Sequence, residues 1–324
     1  MEERLKIEIP VSKEFRQFND EFVIALQSES RLIQSAIDHI MASSGKHIRP
    51  LLLLLSAKAC GNVTDTAINA AVLLELLHTA TLIHDDVVDE TKQRRGVPSL
   101  NAIFDNRISV LVGDFFLSAA LIRSIKTNNM RIISIVSNLG KDLSEGEISQ
   151  LETVEDMVLD EFRYMQVIRK KTAVLLSACS EIGAIAAGAP EEMIGKFRLF
   201  GELLGYCFQI KDDIFDYYKN QRIGKPTGND IREGKVTLPL LYALKSSSSP
   251  EVDGLIDIIK RKDFSEANIE RLIAFAKENG GIEYAEQQMK RFCGQAKEVL
   301  SFLPESDARE SLLLLADYIV TREK

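Results

Sequence analysis

A chain of 324 residues that is 45% hydrophobic and 27% charged, with only 8 prolines, has the composition of a well-packed globular protein and excludes a disordered one. Its formal net charge of -8 leaves no global basic field to draw in nucleic acid or an anionic membrane, so any phosphate site has to be local.

The length admits two domains or one large helical core. Cys60, Cys179, Cys207 and Cys293 have no CxxC spacing and lie in apolar or mixed helical contexts, which predicts structural thiols in a reducing compartment. The opening MEERLKIEIP is charged and lacks the apolar stretch of a signal peptide. No segment is read as approaching the roughly 18 apolar residues of a membrane span, so the expectation is a cytoplasmic protein without an integral membrane segment.

Along the chain, apolar residues recur at spacings of three and four, and strand alternation is scarce. Breakers at Gly45, Pro50, Gly61, Gly96 to Pro98, Gly188 to Pro190, Gly224 to Gly228, Ser246 to Pro250 and Gly280 to Gly281 delimit long helices. No stretch has linker composition, so residues 1–324 are expected to form one all-α domain.

In GKHIRP, Lys46 and Arg49 sit in a loop before a proline-started helix. The next helix begins near Asp65, carries Leu73, Leu74, Leu77, Ala80 and Thr81, and ends in HTATLIHDDVVDE with Asp85, Asp86 and Asp89. Asp85 and Asp89 share a helix face and Asp86 lies about 100 degrees round, so three carboxylates crowd the end of an apolar rod. His78 lies about two turns upstream, and Arg94 and Arg95 follow before Gly96. Lys171 and Thr172 occur in RKKTA.

A second set, Asp212, Asp213 and Asp216 in GYCFQIKDDIFDYY, repeats the same spacing near the end of another apolar run. Lys225 and Lys235 flank the glycine-bearing segment that follows. Carboxylates are poor companions for the negative end of a helix dipole. One such motif alone reads as a solvated acidic helix end. Two of the same form point to magnesium, which takes hard oxygen ligands, keeps waters and uses one or two carboxylates with substrate phosphates. Arg is the bidentate phosphate partner.

GKHIRP, HTATLIHDDVVDETKQRRG, RKKTA, GYCFQIKDDIFDYY and GKPTGNDIREGKVTLPL, in that order between about residues 40 and 240, resemble the trans-isoprenyl diphosphate synthases, or polyprenyl synthetase family. The resemblance implies the isoprenoid synthase fold, a helical barrel around a deep cavity, usually a homodimer, with the two aspartate motifs facing each other across its mouth. It implies magnesium, three ions per site with substrate bound, held by Asp85, Asp86, Asp89, Asp212 and Asp216, with Asp213 in support. By the same carry-over Lys46, Arg49, His78 and Arg95 hold isopentenyl diphosphate, while Arg94, Lys171, Thr172, Gln209, Lys225 and Lys235 hold the allylic diphosphate.

The chemistry so implied needs no protein nucleophile. The allylic C–O bond breaks, cations stabilise the departing diphosphate, the double bond of isopentenyl diphosphate attacks the allyl cation, and a proton leaves. Water has to be excluded, and the segment from Gly224 to Gly234 is the expected lid. Small Ala80 and Thr81, one turn below Asp85, leave a tail free to run down the helix, where bulky aromatics accompany short products in the family. The expected floor is Leu77, Leu74 or Leu73 with Phe115 or Phe116. A helix of about 36 Å has room for six to eight isoprene units alongside it, and the expected product is of medium or long chain, about C30 to C45 with octaprenyl favoured, from a farnesyl or geranyl primer. The alternatives are a short-chain farnesyl or geranylgeranyl diphosphate synthase and a noncatalytic partner subunit. Membrane contact is expected only transiently, for product release.

Overall fold

The computed structural model describes residues 2–42, 45, 47–94, 96–218 and 227–322. In chain order the helices are α1 (Glu2–Glu8), α2 (Ser12–Ala25), α3 (Arg31–Ala42), α4 (Ile48–Cys60), α5 (Asp65–Val88), α6 (Leu100–Phe104), α7 (Asn106–Lys126), α8 (Met130–Glu155) and α9 (Glu161–Ile168). A π turn, Arg169–Ala173, leads into α10 (Val174–Ala186), followed by α11 (Glu191–Asp216), α12 (Asn229–Arg232), α13 (Leu238–Ser246), α14 (Val252–Lys260), α15 (Glu266–Glu278), α16 (Gly281–Val299) and α17 (Asp307–Thr321). Among the described residues the only sheet is a two-stranded antiparallel ladder, β1 (Gln93–Arg94) with β2 (Val97–Pro98), so the all-α expectation holds.

The chain divides into two compact units. The first comprises Met1–Gly140, Ala178–Phe200 and Val299–Leu315, and the second Lys141–Ser177, Gly201–Glu298 and Ala316–Lys324.

In the first unit α5 is apolar on every side and packs along α7, with α4 and α2 also against it. A helix with no polar stripe has to be enclosed, and from Ala70 to Leu77 every side chain of α5 is buried. Thr64 starts the helix, its hydroxyl accepting the amide of Ala67 at 3.3 Å. Leu51 to Leu55 of α4 are likewise sealed from solvent.

Both α5 and α7 are long and apolar enough to cross a membrane by length and composition, with mean hydropathies of 1.5 and 1.8 over 18 residues. That corrects the expectation that no segment approaches a span. For α5 the physical reason is its place in the core, since 72% of that window is buried. Only 44% of the α7 window is, and Leu111, Leu121, Ile122 and Ile125 lie on its exposed side.

In the second unit close helix approach depends on two glycines of α11. A Cβ on Gly201 would stand 2.3 Å from the Leu176 carbonyl oxygen, and one on Gly205 2.3 Å from Ala173 Cα. The backbone of α11 therefore lies directly on the π turn and the start of α10.

Candidate functional site

The first acidic motif closes α5. Val88 is the last helical residue, and the amide of Asp89 returns to the carbonyl of Asp85 at 2.8 Å. Asp85 and Asp89 are half-buried, whereas Asp86 is buried and its carboxylate receives Arg94 bidentately, from Nη2 to Oδ1 at 2.7 Å and from Nε to Oδ2 at 3.0 Å. Asn101 donates to the Asp86 carbonyl at 3.0 Å. The β1–β2 ladder thus holds Arg94 beside the motif, with Asp86 as its anchor.

Arg49 lies in the first turn of α4 and His78 is half-buried on α5. His47, the α4 N-cap, adopts a left-handed φ of 47° and places Nδ1 3.2 Å from Glu75, a buried carboxylate within the apolar run of α5. Sequence reading passed over Glu75, although a lone acid within Leu-Leu-Glu-Leu-Leu was its signal. Lys46, Arg95 and Lys225 fall outside the described residues, as do Gly224 to Pro226 of the expected lid. The remainder of that segment includes the short helix α12.

In the second unit the C-terminal turns of α11 carry Asp212, Asp213 and Asp216. Asp216 accepts the amides of Asn229 at 2.9 Å and Asp230 at 3.1 Å, one with each carboxylate oxygen, and so holds the start of α12. Asp212 pairs with Arg322 at 2.5 Å. The Arg322 guanidinium also lies over the Phe208 ring, 3.9 Å from its centroid. Buried Asp213 accepts the Tyr164 hydroxyl at 2.6 Å and the Gln209 amide at 2.8 Å. Gln209 in turn accepts the Thr172 hydroxyl at 2.6 Å. Lys171, on the π turn, is cradled by Glu147 at 2.8 Å and Gln150 at 3.1 Å from α8, while Lys235 pairs with Glu233 at 2.5 Å.

Charge here is unbalanced. Burial pushes the Asp213 carboxyl up to about 7 against the pull of its two hydrogen bonds, with Asp212 and Asp216 adding repulsion. Asp230 is driven well above the ordinary carboxylate range, first by burial and then by Asp216 and Asp213, and Lys235 offsets only part of this. Among the described residues no group of three or more His, Cys, Asp or Glu side chains forms a ready-made metal cage. Magnesium does not need one, because it retains waters and shares its shell with phosphates. Four neighbouring carboxylates, two of them reluctant to ionise first because they are buried and then because they repel one another, fit a hard cation.

Thr172, Gln209, Lys171 and Asp213, named from sequence, are thus brought together in the second unit. Ala80 is 2% exposed and Leu77 6%, both on the buried side of α5, while Thr81 is half-buried. Phe116 is sealed in the core and Phe115 meets it edge-on with centroids 6.4 Å apart. Sequence reading missed Tyr164, Glu147, Gln150, Asp230 and Arg322. Only Glu147 and Gln150 carried a signal, their spacing of three on one helix face.

The polyprenyl synthetase family model matches residues 30–276. Octaprenyl diphosphate synthase of Haemophilus influenzae is 36% identical over 310 residues, 95% of this chain and 94% of that protein. The crystal structure of a polyprenyl synthase from Caulobacter crescentus CB15, complexed with calcium and isoprenyl diphosphate, superposes with a TM-score of 0.94 at 34% identity, covering 99% of this chain and 98% of that one. Geranylgeranyl pyrophosphate synthase from Bacteroides thetaiotaomicron gives a TM-score of 0.87 at 42% identity, covering 99% and 100%.

Proposed function

The chain belongs to the polyprenyl synthetase family, and from that membership we propose that it is a magnesium-dependent (E)-polyprenyl diphosphate synthase of medium or long product, octaprenyl favoured. Trans-prenyl transfer in isoprenoid biosynthesis is the activity of the family. Magnesium dependence, product length and the residue roles are our reading. Residues 1–324 are taken as one polyprenyl synthetase domain, which the match over 30–276 supports.

The observation that carries the proposal is the crowding of Asp212, Asp213, Asp216 and Asp230, charge that a bound cation would offset. Asp85, Asp86, Asp89, Asp212 and Asp216 would hold magnesium, Asp86 being the anchor of Arg94 as well. Magnesium, when bound, would supply countercharge for the departing diphosphate. Arg94, Lys171 and Lys235 take up the negative charge that develops as the allylic C–O bond breaks, and Thr172 with Gln209 orients that diphosphate. Arg49 and His78, with Lys46 and Arg95, hold isopentenyl diphosphate. Its double bond attacks the allyl cation, and the departed diphosphate receives the proton.

The long-product reading rests on small Ala80 and Thr81 one turn below Asp85. A short-chain product is the second reading, favoured by the 42% identity to a geranylgeranyl pyrophosphate synthase. We place the enzyme in the cytoplasm as a homodimer that touches membrane transiently to shed product.

The test is incubation of the pure chain with magnesium, radiolabelled isopentenyl diphosphate and geranyl or farnesyl diphosphate, followed by chromatography of the dephosphorylated products. A ladder passing C25 and abolished by a chelator is expected. Products stopping at C15 or C20 overturn the length, chelator resistance overturns the metal, and no incorporation turns the chain into a noncatalytic partner.

A further inference from the structure

Tyr164 and Thr172 are eight residues apart, a separation that would put them about 80 degrees out of line on a regular α-helix. The π turn at Arg169–Ala173 removes that offset, since one α turn and one π turn together take about eight residues. Both side chains consequently reach α11. Tyr164 donates to Asp213 at 2.6 Å and Thr172 to Gln209 at 2.6 Å. Gln209 and Asp213 are four apart, on one face of α11, and are themselves joined at 2.8 Å.

The result is a closed rectangle of two chain segments and three hydrogen bonds, with every donor direction fixed. Tyr164, Thr172 and Asp213 are buried. The Gln209 amide has one orientation consistent with it, oxygen to Thr172 and nitrogen to Asp213. Tyr164 occupies Asp213 Oδ2 and turns that carboxylate toward the rectangle. Lys171, next to Thr172, rides on the π turn that the rectangle braces, with Glu147 and Gln150 on its other side. Gly205, lying on Ala173, leaves the turn no freedom to slide along α11.

We propose that Tyr164 is a positioning residue for prenyl transfer. By clamping Asp213, and through it Gln209 and Thr172, it holds the π turn in the register that presents Lys171 and Thr172 to the allylic diphosphate. The inference rests on the synthase reading above and adds a residue outside both aspartate motifs. A side chain that only filled the core would be replaced by phenylalanine without consequence for one substrate over the other.

The experiment is steady-state kinetics of Tyr164→Phe, Thr172→Val and the double variant, with calorimetric binding of farnesyl thiodiphosphate in magnesium as a readout independent of turnover. Tyr164→Phe is expected to raise the KM for the allylic substrate about tenfold while the KM for isopentenyl diphosphate changes less than twofold. Thiodiphosphate affinity should fall in parallel. The double variant should be no worse than the poorer single one, because both act through the same chain of bonds. Equal changes in both KM values, additive losses, or unchanged thiodiphosphate binding overturn the proposal. An inactive wild type that still binds thiodiphosphate overturns the synthase reading while the binding comparison continues to decide Tyr164, and a wild type that neither turns over nor binds overturns both.

Discussion

At the scale of single residues, environment separates side chains that sequence leaves alike. Cys60 is half-exposed, yet burial of its thiol pushes it up to about 12. Alkylation by iodoacetamide at pH 8 should therefore run roughly a thousandfold slower than for an ordinary thiol, because the thiolate is the nucleophile. Mass spectrometry of the native protein checks this, and full labelling within minutes would contradict it. Ala80 and Thr81 looked equivalent as small residues below Asp85, but Ala80 is 2% exposed and Thr81 half-buried. Thr81→Phe should shorten the product with little loss of stability, whereas Ala80→Tyr should also cost about 1–3 kcal/mol through overpacking. Product chromatography and urea titration together distinguish the two. Asp85→Ala should lower metal-dependent turnover at every chain length and leave the product distribution unchanged. In the same way the three aspartates of each motif were interchangeable by spacing, and only their partners divide them into Arg94's anchor, Arg322's partner, Tyr164's acceptor and the holder of α12.

At the scale of elements, α11 offers an internal comparison. Gly205→Ala drives a methyl to 2.3 Å from Ala173 Cα, a backbone atom that cannot step aside, while the same change at Gly195 meets nothing within 4 Å. Gly205→Ala should destabilise by about 1–3 kcal/mol and displace the Lys171 turn with loss of activity. Gly195→Ala should stabilise by about 0.5–1 kcal/mol through helix propensity alone. Denaturant midpoints and turnover of the two variants give the answer, and equal effects would mean that the close approach at Gly205 is not required. The existence and approximate limits of the helices were legible because apolar periodicity is a local property. The π turn was not, since RKKTA reads as ordinary helix and its extra residue is justified only by what Tyr164 and Thr172 meet on α11.

At the scale of the whole molecule, α7 exposes an apolar face in which Leu111 is 63% exposed, Leu121 61%, Ile122 58% and Ile125 73%. Exposed apolar side chains of this size are costly in water, and the homodimer proposed above would cover them. Leu121→Glu with Ile125→Glu should convert a dimer into a monomer in light scattering at micromolar concentration, and a wild type that is already monomeric would defeat the assignment. The sequence alone determined the helical class, both aspartate motifs and the family, because each is written in residues close together along the chain. Only the tertiary structure decided which partner each carboxylate takes, how the π turn registers Tyr164 with Asp213, and that Arg322 reaches Asp212 across 110 residues of chain. Those choices depend on which distant surfaces pack together, and side-chain spacing within one segment carries no record of them.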